Sequence, residues 1–147
     1  MEYIRNKKAG LEYSIEDTIE AGVEFLGTEV KSVKASRGSL SGAYVHIVGA
    51  DVVLLGAHIP AWQEKNVVNT YDPYRTRKLL VHKKEILYLN KVLHTKGFAI
   101  IPLSLYNKGG KIKLSIGIAK GKKLSDKRNT LKEKAAKRDS DRERAAL

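Results

Sequence analysis

Three groups of basic residues in this sequence carry aromatic or polar neighbours. Arg5, Lys7 and Lys8 flank Asn6 and precede Tyr13. Arg75, Arg77 and Lys78 follow Tyr71 and Tyr74. Lys120, Lys122, Lys123, Lys127 and Arg128 crowd the approach to the C-terminus. Lysine and arginine neutralise phosphates, and aromatic faces stack on unpaired bases. The chemistry in these groups is therefore the binding of a polyanion. Charge over the whole chain agrees: Lys+Arg 28 against Asp+Glu 16 gives +12 in 147 residues. Nucleic acid and anionic membrane both fit that excess on charge alone.

Other chemistries lack their residues. Cysteine is absent, which removes disulfides, thiolate metal sites and a thiol nucleophile. His46, His58, His82 and His94 are scattered and do not pair at metal-ligand spacing. Gly117-Ile-Ala-Lys-Gly121-Lys122-Lys123 has three residues between its glycines where a P-loop has four. Lys123 also stands where Ser or Thr would hold magnesium. No nucleophile elbow of the GxSxG type occurs. The expectation is a binding protein, with no catalytic residue, cofactor, metal or small-molecule substrate. No apolar run approaches the ~20 residues of a membrane helix. The tail lacks the broad apolar face of a membrane-surface helix.

The basic groups need a scaffold, and the hydrophobic pattern predicts a mainly β one. Ile112, Leu114, Ile116 and Ile118 alternate with Lys111, Lys113, Ser115 and Gly117. Residues 98–106 are rich in β-formers, and Asn107-Lys-Gly-Gly110 joins the two runs as a hairpin. Residues 43–48 and 52–59 form a second such pair, and 12–26 an opening strand or two interrupted at Gly22. Helices are expected over 83–96 and, shorter, over 28–35. A polar loop fills 60–78. The order β-α-β-β-α-β-β with short antiparallel strands predicts a small closed, oligonucleotide-binding-fold-like antiparallel barrel with helices at its openings.

Composition changes near residue 120. Residues 120–147 carry eleven basic side chains against five acids, and their only large apolar residues are Leu124, Leu131 and Leu147. The division expected is a folded barrel over 1–119 and a basic tail over 120–147. Such a tail is disordered when free and helical when bound. Thr130-Leu-Lys-Glu133 has the form of a capping box, and Glu133 and Lys137 form an i,i+4 pair.

Short motifs then occur in order. They run from Asn6-Lys-Lys-Ala9 through Glu20-Ala-Gly22, Gly27-Thr-Glu-Val-Lys-Ser32, Arg77-Lys-Leu-Leu80 and Pro102-Leu-Ser-Leu-Tyr106 to Ala119-Lys-Gly-Lys-Lys123 and Asp126-Lys-Arg128. Over about residues 3–138 the chain resembles the SsrA-binding protein family. The resemblance implies a bacterial cytoplasmic adaptor, not an enzyme. Such a protein binds the tRNA-like domain of transfer-messenger RNA and delivers it to stalled ribosomes, for rescue and peptide tagging. It implies RNA contacts at Asn6, Glu20, Leu80 and Lys113; the basic groups add Lys7, Arg75, Arg77 and Lys78. Gly121, Lys122, Lys123, Asp126, Lys127 and Arg128 resemble the junction leading toward the decoding site and messenger channel. Ser125 stands where the family often carries an aromatic residue or histidine, so no stacking is expected there. The other reading is a ribosomal or ribosome-assembly protein that uses its basic tail on ribosomal RNA.

Overall fold

A computed structural model describes residues 1–62 and 70–121. The long hairpin at its centre arises directly from sequence. β6 (Phe98–Lys108) and β7 (Lys111–Gly121) pair antiparallel along their length. Their turn needs positive φ at two successive positions, which Gly109 (59°) and Gly110 (80°) supply without a Cβ clash. Leu105, Leu114, Ile116 and Ile118 point to one side of this hairpin and are buried.

Around it lie β1 (Glu2–Arg5), β2 (Tyr13–Val23), β3 (Tyr44–Val48), β4 (Asp51–Leu55) and β5 (Arg77–Leu80). They form one antiparallel sheet in the order β1-β6-β7-β2-β5-β4-β3. The sheet curls around a core that includes Ala21, Val33, Leu40, Leu54, Ile59, Leu89 and the inward residues of the hairpin. The architecture is oligonucleotide-binding-fold-like, but the ladder is not closed as the sequence predicts. β3 and β6 face each other across a cleft of about 480 Å³ instead of pairing.

Three helices complete the described part: α1 (Ala9–Glu12), α2 (Gly27–Lys34) and α3 (Lys83–Leu93). α2 and α3 match the expected helices within a few residues. At each start a glutamate reaches back: Leu26 N–H donates to Glu29 Oε1 (2.8 Å), and His82 N–H donates to Glu85 Oε1 (3.0 Å). α1 lies on the outer surface of the hairpin, where Ala9 meets Ile101 and Ala119. A bulge between Pro102 and Ser104 leaves Leu103 as the extra residue, beside this small cluster.

Several sequence expectations need correction. β1, α1 and β5 are absent from the predicted order: the first two are short, and β5 falls partly inside the predicted polar loop. β2 passes through Gly22 without a break, because Gly22 pairs with both Leu80 and Lys113. The strand expected over 52–59 ends at Leu55, since Gly56 turns the chain with φ of 79°. β7 continues through Gly121, two residues past the predicted end of the barrel, and pairs there with Tyr13. The tail expectations, including the capping box and the helix, lie outside the described residues.

Candidate RNA interface

Strand pairing gathers polar residues from distant sequence onto the outer face. Residues opposite one another in a ladder share a face. Arg5, Ser104, Ser115 and Glu20 therefore form one row across β1, β6, β7 and β2. The next row holds Glu2, Tyr106, Lys113, Gly22 and Leu80 and reaches β5. Three of the predicted contact residues, Glu20, Lys113 and Leu80, thus come together. Leu80 is 51 % exposed although it sits inside the sheet. Its Cβ lies 3.3 Å from where a Cβ on Gly22 would be, so glycine allows Leu80 to lie against β2.

Glu20 does not stand alone there. Tyr106 donates its hydroxyl to Glu20 Oε2 at 2.5 Å, and Lys108 Nζ lies 3.2 Å from both carboxylate oxygens. The Tyr106 hydrogen bond first, and Lys108 second, hold the Glu20 carboxyl below its usual range. Burial, with the hydrogen bond to Glu20 next, pushes the Tyr106 phenol up to about 12. The carboxylate is therefore charged, oriented and still half-exposed. It can accept from a base amino group or a ribose 2′-hydroxyl while repelling a misplaced phosphate. Tyr106 and Lys108 were missed in the sequence, since nothing local links residues 86 and 88 positions away from Glu20.

Asn6 and Lys7 sit elsewhere. The Asn6 backbone N–H donates to Leu103 O (2.8 Å), and its Nδ2 donates to Pro102 O (2.9 Å). These bonds continue the β1–β6 pairing past the end of the strand. Asn6 lines the β3–β6 cleft, and Lys7 is exposed beside it.

The second basic group is corrected by the structure. Arg77 and Leu79 point inward on β5 while Lys78 and Leu80 point outward. Arg77 is fully buried and donates to Glu29 Oε2 from Nε (2.9 Å) and Nη2 (2.6 Å). It also donates to Ala57 O and Pro73 O. Arg75 donates to Glu29 Oε1 (2.5 Å) and Oε2 (3.0 Å). The hydroxyl of Tyr71 donates within the same network. Burial pushes the Glu29 carboxyl up, but Arg75, the Leu26 N–H and Arg77 together outweigh it and hold it below its usual range. Arg77 thus has no surface to offer a phosphate, and Arg75 is held by Glu29. The pair ties the 71–77 segment to α2. Of this group Lys78 is exposed, 3.5 Å from Asp51. Glu29 on the buried side of a helix, one turn from Val33, is the sequence signal that a cation must accompany it inward.

Gly121 ends β7, its N–H donating to Gly97 O. Lys122, Lys123, Asp126, Lys127 and Arg128 lie outside the described residues. No helix of the described residues is long and apolar enough to cross a membrane.

An open oligonucleotide-binding-type barrel with a mixed acidic, basic and apolar outer face defines a class of nucleic-acid-binding β-proteins. Within it the chain belongs to the SmpB protein family, whose description matches residues 3–146. It is 45 % identical over 138 residues to the SsrA-binding protein of Clostridium kluyveri (strain NBRC 12016), covering 94 % of this chain and 87 % of that one. It is 48 % identical over 137 residues to the SsrA-binding protein of Staphylococcus epidermidis (strain ATCC 12228), covering 93 % and 87 %. A solved structure described as "tmRNA-SmpB: a journey to the center of the bacterial ribosome" superimposes with a TM-score of 0.69 at 35 % identity, over 82 % of this chain and 85 % of that one.

Proposed function

We propose that this protein is a bacterial, cytoplasmic RNA-binding adaptor without catalytic activity of its own. It binds the tRNA-like domain of transfer-messenger RNA and delivers it to stalled ribosomes for trans-translation. The observation that carries this reading is the outer face on which Glu20, Lys113 and Leu80 meet, in a chain of the SmpB family. Lys113 serves phosphate, Leu80 an apolar ring or ribose edge, and Glu20 a donor on a base or sugar. Lys7 and Lys78 add phosphate contacts at the margins, and Asn6 holds the β1 margin to β6. Residues Gly121, Lys122, Lys123, Asp126, Lys127 and Arg128 belong to ribosome engagement in this reading. RNA is held by the barrel, and the tail meets the ribosome.

The test is a binding comparison between the tRNA-like domain and an unrelated structured RNA. Lys113→Gln is expected to weaken both and to lower the salt slope by roughly 0.7–0.9 of a log unit per log unit of salt. Glu20→Ala is expected to weaken the tRNA-like domain selectively. Equal losses on both RNAs, or tighter binding after the negative charge is removed, would contradict the role given to Glu20.

A further inference from the structure

Beside Leu80 and Lys113 a hollow of about 350 Å³ opens on the outer surface. Phe25, Val30 and Ile112 wall it together with Leu80, and all four keep some exposure. Lys34, Lys111 and Lys113 line it too, and none of its lining residues is a carboxylate among the described residues. β2 is paired on both sides at this point, with β5 and β7, so no free strand edge is offered to an extended peptide. Apolar walls left open lack dispersion partners on one side. The shape and charge suit a group that is flat, apolar on its faces and joined to negative charge.

We infer that this hollow receives one unstacked base of the bound RNA. The ring lies against Phe25, Val30, Ile112 and Leu80, and the flanking phosphates meet Lys34 and Lys111. The inference rests on the RNA-binding reading above and extends it to α2 and to the segment after β2. Sequence alone does not reveal the hollow, because the 25–34 stretch with Phe25, Val30 and Lys34 is far in sequence from Leu80 and from Ile112. A base in an apolar, cation-rimmed hollow contributes through stacking and burial rather than through its hydrogen-bonding edge. Its removal therefore costs affinity even when the sugar and phosphates remain.

Abasic scanning of a transcript of the tRNA-like domain tests this with the full-length protein. In wild type, one abasic position is expected to weaken binding by roughly 5- to 100-fold. In Val30→Trp, whose indole fills the hollow, that same abasic change is expected to cost less than about twofold, because the base no longer enters. If every sensitive position stays equally sensitive in Val30→Trp the assignment is overturned, as it is by a scan with no sensitive position. Failure of wild type to bind the intact transcript would instead remove the RNA-binding reading itself, and this inference with it. Should Val30→Trp not fold, Lys34→Glu and Lys31→Glu make the alternative pair. Both sites are exposed and the charge change is the same, but only Lys34 lines the hollow. Lys34→Glu is expected to reduce the abasic penalty and Lys31→Glu to leave it unchanged; equal penalties in the two overturn the inference.

Discussion

Tyr106 on β6 and Glu20 on β2 are joined hydroxyl to carboxylate at 2.5 Å although β7 runs between their strands. The reach is diagonal. Tyr106 stands opposite Lys113, and Glu20 opposite Ser115. A small residue at 115 leaves the path clear. On an exposed surface such a bond orients the carboxylate more than it stabilises the fold. Tyr106→Phe is therefore expected to lower affinity for the tRNA-like domain by roughly tenfold. Its thermal unfolding should stay close to wild type, because the phenyl ring keeps its contacts. Titration calorimetry with the domain checks this.

The same bond predicts a titration. With its phenol pushed up to about 12, Tyr106 stays protonated well above the ordinary tyrosine value of 10.0. In Glu20→Gln the phenol loses an ionised acceptor and its value should fall. Burial, the larger cause, remains, so it should not fall all the way to 10.0. Ring-carbon NMR of labelled tyrosine tracks the single site. An unchanged value in Glu20→Gln would mean that the carboxylate does not hold the hydroxyl.

Glu29 governs acid stability. Its carboxyl is held below the ordinary value of 4.5. A carboxylate with a lowered value contributes stability that is present above 4.5 and is lost as pH falls through the lowered value. Wild type should therefore lose stability steeply on acidification below that point. Glu29→Gln should show a shallower acid slope from a lower starting stability. Removing the charge leaves Arg77 buried without its anion, at a cost of about 3–5 kcal/mol. That corresponds to a fall of roughly 10 °C or more in melting temperature. Thermal melts between neutral and acid pH read both effects.

Gly117 makes a packing prediction. A Cβ there would sit 3.0 Å from both Cδ atoms of Leu103. Leu103 packs in the small cluster beneath α1, with Ala9, Ile101 and Ala119. Gly117→Ala should therefore push Leu103 aside and cost about 1–3 kcal/mol by overpacking. Ala119 N–H exchange, measured by NMR, should quicken along with α1 if that helix loosens.

Truncation after Lys123 separates the barrel from the tail. Every described strand and helix precedes that point. The shortened chain should unfold with one sharp transition and bind the tRNA-like domain almost as the whole protein does. It should fail in a reconstituted peptide-tagging assay. Loss of RNA affinity in proportion to loss of tagging would mean that the tail belongs to the RNA-binding surface.

The sequence was most legible where side-chain periodicity was strict. The β6–β7 hairpin reads directly from alternating isoleucines and a double glycine, and α3 reads from Ile86, Leu89 and Leu93 with Gly97 beyond. β5 was harder because its inward positions hold Arg77 as well as Leu79. An arginine in a core position looks like a surface cation until Glu29, 48 residues away, is brought to it. β1 and α1 are four residues each, too short to show a period. In the interface, Glu20 and Leu80 lie within family motifs, and Lys113 was implied by the family resemblance outside any motif. Their company, Tyr106, Lys108 and the walls of the hollow, depends on register across strands, which local sequence does not encode.

β7 also fixes a distance. Lys113 on the proposed RNA face and Gly121 at the strand's end belong to the same unbroken strand, paired with β2 over the whole span and with β6 as far as Lys120. Eight residues at about 3.3 Å each set them roughly 26 Å apart. The strand is thus a ruler with the proposed nucleic-acid grip near one end and the exit of the chain at the other. Because its neighbours lock it sideways, the ruler cannot stretch. Lengthening it by two residues would move the exit about 7 Å while keeping every side chain on its face; adding one would turn the face over. In an adaptor of this kind, the distance between what is carried and where the carrier reaches would be written into the length of a single strand.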